Sequence, residues 1–369
     1  MGKLCIFLLL CVLCVTCRLQ QAVADKSKVV PIPRTFFGIR VTSQPSTDSV
    51  VPNGTQAPVS PPELQLQSNS TALYLRGSLS TRVIPVIYLL VITVGVPANA
   101  AILFTLVSQI RKVSSAILYC SLAVSDLLLL LSLFFKAHYH LYGNHWALGE
   151  PACRAVTACF YGNLYCAAQT LACISIKRYL AVAHPFLYKR LPKRMCSAWV
   201  TIAVWVVFTA AVIPELLIQQ SYRLRGLGSI TCHDVLPLDK DSHKYLLYYN
   251  LLLTIFGLFV PLGVTIVCYI RIVWELNKSQ LNWAMYIKAC SLVSFIFLVC
   301  FSPAGVLHFL HYVQLFAYGT ESLYVHFNVA VCLCCLHACL DPFLFVIMSK
   351  SAGSRFCKPF KGKHLSISI

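Results

Sequence analysis

Charge is scarce in this chain. Asp, Glu, Lys and Arg make up 11% of its 369 residues. A soluble domain carries roughly a quarter, so most of this chain has to face lipid or protein. Acid is scarcer than base: 12 Asp and Glu stand against 30 Lys and Arg, a net charge of +18. A basic balance is one mark of nucleic-acid binding. Here the cations fall between apolar segments and at the C-terminus. That spacing suits membrane orientation, and no nucleic-acid partner is expected. Catalytic patterns are missing too. There is no His-Glu-x-x-His, no Gly-x-Ser-x-Gly and no pair of catalytic carboxylates, so the chain does not read as an enzyme. None of its CxxC pairs has zinc-site flanks, so metal binding through thiolates is unsupported.

What is present starts with a leader. Lys3, the short apolar run Cys5 to Thr16 and the small-x-small site Ala22-Val23-Ala24 predict a secretory signal over 1–24. The mature chain then begins at Asp25, outside the cell. Residues 25–80 are rich in Pro, Ser, Thr and Gln and are expected to be disordered. They carry glycosylation sequons at Asn53 and Asn69. Seven apolar segments follow, near 83–108, 115–141, 152–181, 196–219, 244–274, 284–313 and 322–347. Each is long enough for the ~20 helical residues that cross a bilayer. The fold class is therefore an all-α membrane protein, a seven-helix bundle over 81–348. Arg111, Lys112, Lys189, Arg190, Lys193, Arg194, Lys278 and the basic stretch from Lys350 to Lys363 fall on one side. The positive-inside rule makes that side cytoplasmic, with the tail outside and a short C-terminal segment, 349–369, inside. Cys357 is a candidate for palmitoylation at the inner leaflet, or an unmodified thiol. No inverted repeat of the transporter kind is visible.

Specific residues inside the spans narrow the class. Span one holds Gly95-Val96-Pro97-Ala98-Asn99, span two Leu122-Ala123-Val124-Ser125-Asp126, and span three ends Ile176-Lys177-Arg178-Tyr179. Trp199, Pro261, Tyr269, Cys300, Pro303 and Asp341-Pro342-Phe343-Leu344-Phe345 follow in order. Together they resemble the rhodopsin-like G-protein-coupled receptors. The resemblance implies a multi-pass plasma-membrane receptor with heterotrimeric G proteins as partners, coupled through Arg178, Tyr179 and Tyr269. It also implies a sodium ion between Asp126 and Asp341; the alternative is an Asp126 hydrogen-bonded to Asn99 and water, with His337 and Ala167 standing where sodium-binding relatives often place oxygen ligands. Cys153, at the outer end of span three, and Cys232, in the long loop before span five, are the expected extracellular disulfide.

The tail sharpens this further. It reads Val30-Pro31-Ile32-Pro33-Arg34-Thr35-Phe36-Phe37-Gly38-Ile39-Arg40. Arg34 is a trypsin-like cleavage residue in exposed chain, and Pro33 suits thrombin-like enzymes. Cys232-His233-Asp234-Val235-Leu236-Pro237, Tyr139-His140-Leu141-Tyr142-Gly143-Asn144 and His311-Tyr312 resemble protease-activated receptors. The body looks nearest to the second- and fourth-type members, whereas the Thr-Phe start is like the third. The family resemblance implies that a serine protease removes 25–34 and that the new N-terminus at Thr35, carried on the tail 35–80, folds back as a tethered agonist made of Thr35, Phe36, Phe37, Gly38, Ile39 and Arg40. A flexible tether of ~40 residues reaches roughly 35 Å, at an effective concentration on the order of millimolar. Asp234 is the expected partner of Arg40 or of the new amine. Tyr161, Tyr222, His311, Tyr312 and Tyr324 are candidates for lining the pocket of the two phenylalanines. Coupling through Gq to calcium is implied by the resemblance alone.

Some residues depart from the pattern. Lys177 stands where relatives have an acid to pair with Arg178, Glu275 is the only acid near enough to substitute, and Phe345 replaces a tyrosine. A weakened resting lock is expected. The departures keep open a cleavable, non-signalling protease cofactor or decoy. A receptor for a diffusible peptide is the other alternative. Phe160 and Cys335 stand where amine receptors and opsins carry their ligand-binding Asp and Lys.

Overall fold

The computed structural model describes residues 36–40, 61–66, 68–109, 114–237, 251–278, 284–318 and 323–348. The signal segment, Arg34, Thr35, Asn53 and Cys357 lie outside the described residues, as does the side chain of Tyr312.

Seven helical spans form a bundle. The first is Ile84–Gln109, the second Ala116–Leu141, the third Gly149–Ala183 and the fourth Lys193–Leu217. The fifth runs over Leu251–Asn277, the sixth includes Cys290–His311 and the seventh Tyr324–Ile347. Among the described residues, six helices are long and apolar enough to cross a membrane. The third is longer still at 35 residues, but Glu150, Arg154, Asn163, Gln169, Lys177 and Arg178 dilute its apolar character. It packs against the second, fourth and fifth spans. A helix surrounded by protein needs little lipid-facing surface, so it can carry polar side chains that the peripheral spans cannot.

Two of the prolines shape their helices. Just before Pro261 and Pro303 the chain widens into π-helical turns, Ile255–Phe259 and Ile296–Phe301. Proline removes a donor and clashes with the preceding turn, and a wide turn is one way to relieve this. In the sixth span the Phe297 carbonyl accepts from both the backbone N–H of Ser302 and its hydroxyl, the latter at 2.9 Å.

A five-stranded sheet completes the fold. Its strands are β1 Phe36–Arg40, β2 Glu63–Leu66, β3 Ser221–Arg225, β4 Ile230–Cys232 and β5 Val235–Pro237, in the order β4-β3-β2-β1-β5. Tail and loop thus share one sheet. Composition predicts a disordered tail; instead 36–40 and 63–66 are strands, and Asn69–Arg76 is a short helix capped by Ser68, whose Oγ accepts from the Ser70 N–H. The backbone partners of the tail come from a loop more than 150 positions away, which no local composition can register.

Candidate ligand-binding site

The loop before the fifth span is held from three directions. The Cys153–Cys232 disulfide ties β4 to the outer end of the third span. Glu150, on the first turn of that span, accepts from the backbone of Gln220 at 2.8 Å and of Ser221 at 2.7 Å, and from Arg154 Nε at 2.6 Å. Trp146 donates its backbone N–H to Ile230 at 2.8 Å. His233, at positive φ of 70°, turns the chain between β4 and β5, with its ring against Gln220 Oε1 at 2.7 Å and near Tyr161, 4.9 Å between ring centres.

That turn aims Asp234 inward. The carboxylate is buried and accepts from Tyr139 of the second span at 2.8 Å and Tyr324 of the seventh at 3.1 Å. One loop acid therefore bridges the outer ends of two spans. Such charge-assisted bonds are stronger than neutral ones. One expectation changes here, the pairing of Asp234 with Arg40. Asp234 is engaged by tyrosine hydroxyls, and no ion pair joins it to Arg40. Arg40 instead lies on β1 opposite Leu64, beside Tyr222 of β3. Burial pushes the Tyr222 phenol up to about 12, outweighing the pull of the Arg40 cation, so Tyr222 stays protonated at neutral pH.

Phe36 occupies the mouth. It is 3% exposed, and its backbone N–H donates to the Asp234 carbonyl at 2.9 Å. Its ring meets Tyr324 edge-on with centres 4.6 Å apart, and Tyr74 at 5.4 Å. Pairs in that range are favourable beyond their buried area. Of the expected lining residues, the structure brings Tyr324 onto Phe36. Tyr222 sits beneath the far end of β1. Tyr161 and His311 are buried nearby, His311 6.3 Å from the Tyr324 ring. Tyr74, from the short tail helix, and Lys136, buried with its Nζ 4.6 Å from the Phe160 ring centre, were not foreseen. Asn69 is exposed at the start of the tail helix.

At mid-bundle, Asp126, His337 and Asp341 offer ligand atoms all within 4.8 Å of one another. The carboxylates of Asp126 and Asp341 accept no close protein hydrogen bond, the nearest partner being His337 Nε2, 3.5 Å from Asp126 Oδ1, so the two acids fit a cation. Asn99 does not satisfy Asp126; its amide donates to the carbonyls of Gly95 at 3.0 Å and Ala338 at 2.7 Å. On the inner side, Arg178 donates to the Tyr119 hydroxyl at 2.6 Å. Lys177 donates to Ser197 at 2.8 Å and Ser114 at 3.3 Å. Glu275 does not replace the missing acid; it pairs with Lys278 at 3.7 Å. Tyr179 contacts His184 at 3.1 Å, and Tyr269 contacts Ser291 at 3.2 Å.

Residues 98–345 match the 7 transmembrane receptor (rhodopsin family) family. Proteinase-activated receptor 3 of Rattus norvegicus is 42% identical over 283 residues, 77% of each chain. The chain belongs to the proteinase-activated receptor family. Proteinase-activated receptor 4 of Homo sapiens is 34% identical, over 78% of this chain and 74% of its own. Proteinase-activated receptor 1 of Xenopus laevis is 35% identical, over 80% and 72%. The body is thus more similar to receptor 3 than to receptor 4, which corrects the leaning drawn from the motifs. As a family member the chain is a G-protein-coupled receptor of the plasma membrane, and not an enzyme.

Proposed function

We propose that this receptor is switched on by a trypsin-like or thrombin-like protease that cuts after Arg34, and that the segment beginning at Thr35 is its agonist. The observation that supports this most is the place of Phe36. The second residue of the would-be agonist is buried between Tyr324 and Tyr74, hydrogen-bonded to the loop residue that bridges the second and seventh spans. Cutting at Arg34 frees an ammonium group one residue before Phe36, about 3.8 Å along the Cα trace. A cation there joins the carboxylate of Asp234, competes with the two tyrosines and shifts the outer ends of their spans. The wide turn before Pro303 lets the sixth span pass that shift inward, where Arg178, Tyr179 and Tyr269 meet a heterotrimeric G protein, through Gq to calcium. The tail faces outside and the C-terminus the cytoplasm. Asp126 and Asp341 would hold a sodium ion, whose charge would stabilise the resting state. Sodium prefers oxygen ligands, and the two carboxylates supply them while His337 flanks the site.

The test is intracellular calcium in cells carrying the full chain, treated with thrombin or trypsin, beside Arg34→Ala. A response present in the parent and absent in the variant supports the reading. Cleavage at Arg34 with no output from any G protein favours the non-signalling cofactor, the reading that Lys177 and Phe345 keep alive.

A further inference from the structure

We infer that β2, a segment of the tail itself, forms one wall of the agonist's binding slot and selects glycine at the agonist's fourth residue. This deepens the tethered-agonist reading and rests on it. The sheet places β1 between two different strands. On one side β5 of the loop runs parallel, pairing Phe36 with Val235, Phe37 with Leu236 and Gly38 with Pro237. On the other side β2 runs antiparallel, pairing Gly38 with Leu66, Ile39 with Gln65 and Arg40 with Leu64. The loop therefore grips the first half of the strand and the tail grips the second.

β2 has its own anchorage. It pairs in parallel with β3, Glu63 to Arg223, Leu64 to Leu224 and Gln65 to Arg225. The Arg223 N–H also donates to the Pro62 carbonyl at 3.0 Å. Leu64 is fully buried within the main core. The pairing with β3 does not involve β1, so β2 belongs to the disulfide-held loop as much as to the tail. With β1 withdrawn, β2 and β5 would bound a gap one strand wide, ~10 Å at the usual strand spacing. Its walls would present backbone N–H and C=O groups, which is how an extended peptide is captured by strand addition.

Backbone pairing accepts almost any sequence, so selectivity must come from side chains. At Gly38 it comes from the lack of one. A Cβ built there lies 2.9 Å from Leu64 Cβ and 3.3 Å from both Gln65 O and Leu64 Cδ1. The φ of Gly38 is not positive, so the restriction is one of space and not of backbone conformation. Leu64 is the residue that sets it. The slot therefore takes an extended peptide with an aromatic residue at the position of Phe36 and glycine two places on.

The experiment uses synthetic peptides spanning Thr35 to Arg40, with glycine or with Gly38→Ala, on the full chain carrying Arg34→Ala. Receptors with Leu64, Leu64→Ala and Leu64→Gly are compared, after their surface levels are matched. The substituted peptide should be about tenfold weaker on the first two, since Leu64→Ala keeps the offending Cβ. On Leu64→Gly the gap should close to about twofold. An equal gap on all three receptors overturns the inference while leaving the agonist reading intact. A glycine peptide inactive on every receptor sinks the agonist reading instead. The strand pairing is then decided separately by Ile39→Cys with Gln65→Cys, two exposed positions facing each other in register. That pair should cross-link under mild oxidation, and Ile39→Cys with Glu63→Cys should not. No cross-link for the first pair, or equal yields for both, rejects β2 as the slot's wall.

Discussion

Replacing Phe36 with alanine separates affinity from tethering. The ring is 3% exposed and touches two tyrosines. Burying a phenylalanine contributes ~1.5–3 kcal/mol, and each favourable ring pair ~0.5–1.5 kcal/mol more. The lower ends apply, because a free peptide also has to be ordered on binding. They sum to ~2.5 kcal/mol, or about 60-fold in affinity. A synthetic peptide from Thr35 to Arg40 carrying Phe36→Ala should therefore be about 60-fold less potent in a calcium assay. The same substitution in the intact chain should cost much less after protease treatment. There the segment acts at an effective concentration on the order of millimolar, which compensates for lost affinity. A free variant peptide within about threefold of the parent would refute the burial argument. An equal loss in the free and tethered forms would refute the tethering argument.

Other perturbations follow from the geometry. Asp234→Asn keeps an acceptor for Tyr139 and Tyr324 but removes its charge; at ~1.5 kcal/mol for a charged hydrogen bond, peptide potency should fall about tenfold. Cys153→Ala removes the covalent tie between the loop and the third span, and with ~2–5 kcal/mol lost, surface expression measured by antibody should fall and the peptide response with it. Tyr119→Phe removes the hydroxyl that accepts from Arg178; basal G-protein activation should rise several-fold, whereas Lys177→Ala, which frees only serines, should raise it less. Asp126→Asn removes one of two facing carboxylates, so the peptide potency of that variant should no longer depend on sodium when sodium is exchanged for a large organic cation.

The bundle was legible because a membrane span is a local property: ~20 apolar residues announce themselves whatever surrounds them. The third span shows the limit. Its apolar signal is weaker than that of the other spans, since its neighbours are protein and it carries Glu150, Arg154, Lys177 and Arg178. The disulfide was legible for a related reason, one cysteine at the outer end of the third span and one in the long outer loop. The sheet was not. Its strands come from the tail and from a loop more than 150 positions away, and neither half is stable alone. A trace was present in Glu63-Leu64-Gln65-Leu66, whose two-residue alternation is the mark of a half-buried strand. Asp234 was picked out by its motif, but of its two expected partners Arg40 lies elsewhere on the sheet. Charge suggested Arg40, while the fold delivers two hydroxyl donors from the second and seventh spans. Glu275 misled in the same way: it is near Arg178 in the membrane plan yet spends its charge on Lys278, one helical turn along.

The most direct test of the central claim is a synthetic peptide from Thr35 to Arg40 added to cells expressing the full chain with Arg34→Ala, which no protease can cut at that bond. The account predicts a calcium response without protease, and none from a peptide whose N-terminal amine is acetylated. Silence with both peptides on a receptor present at the surface, or equal responses to both, would contradict it.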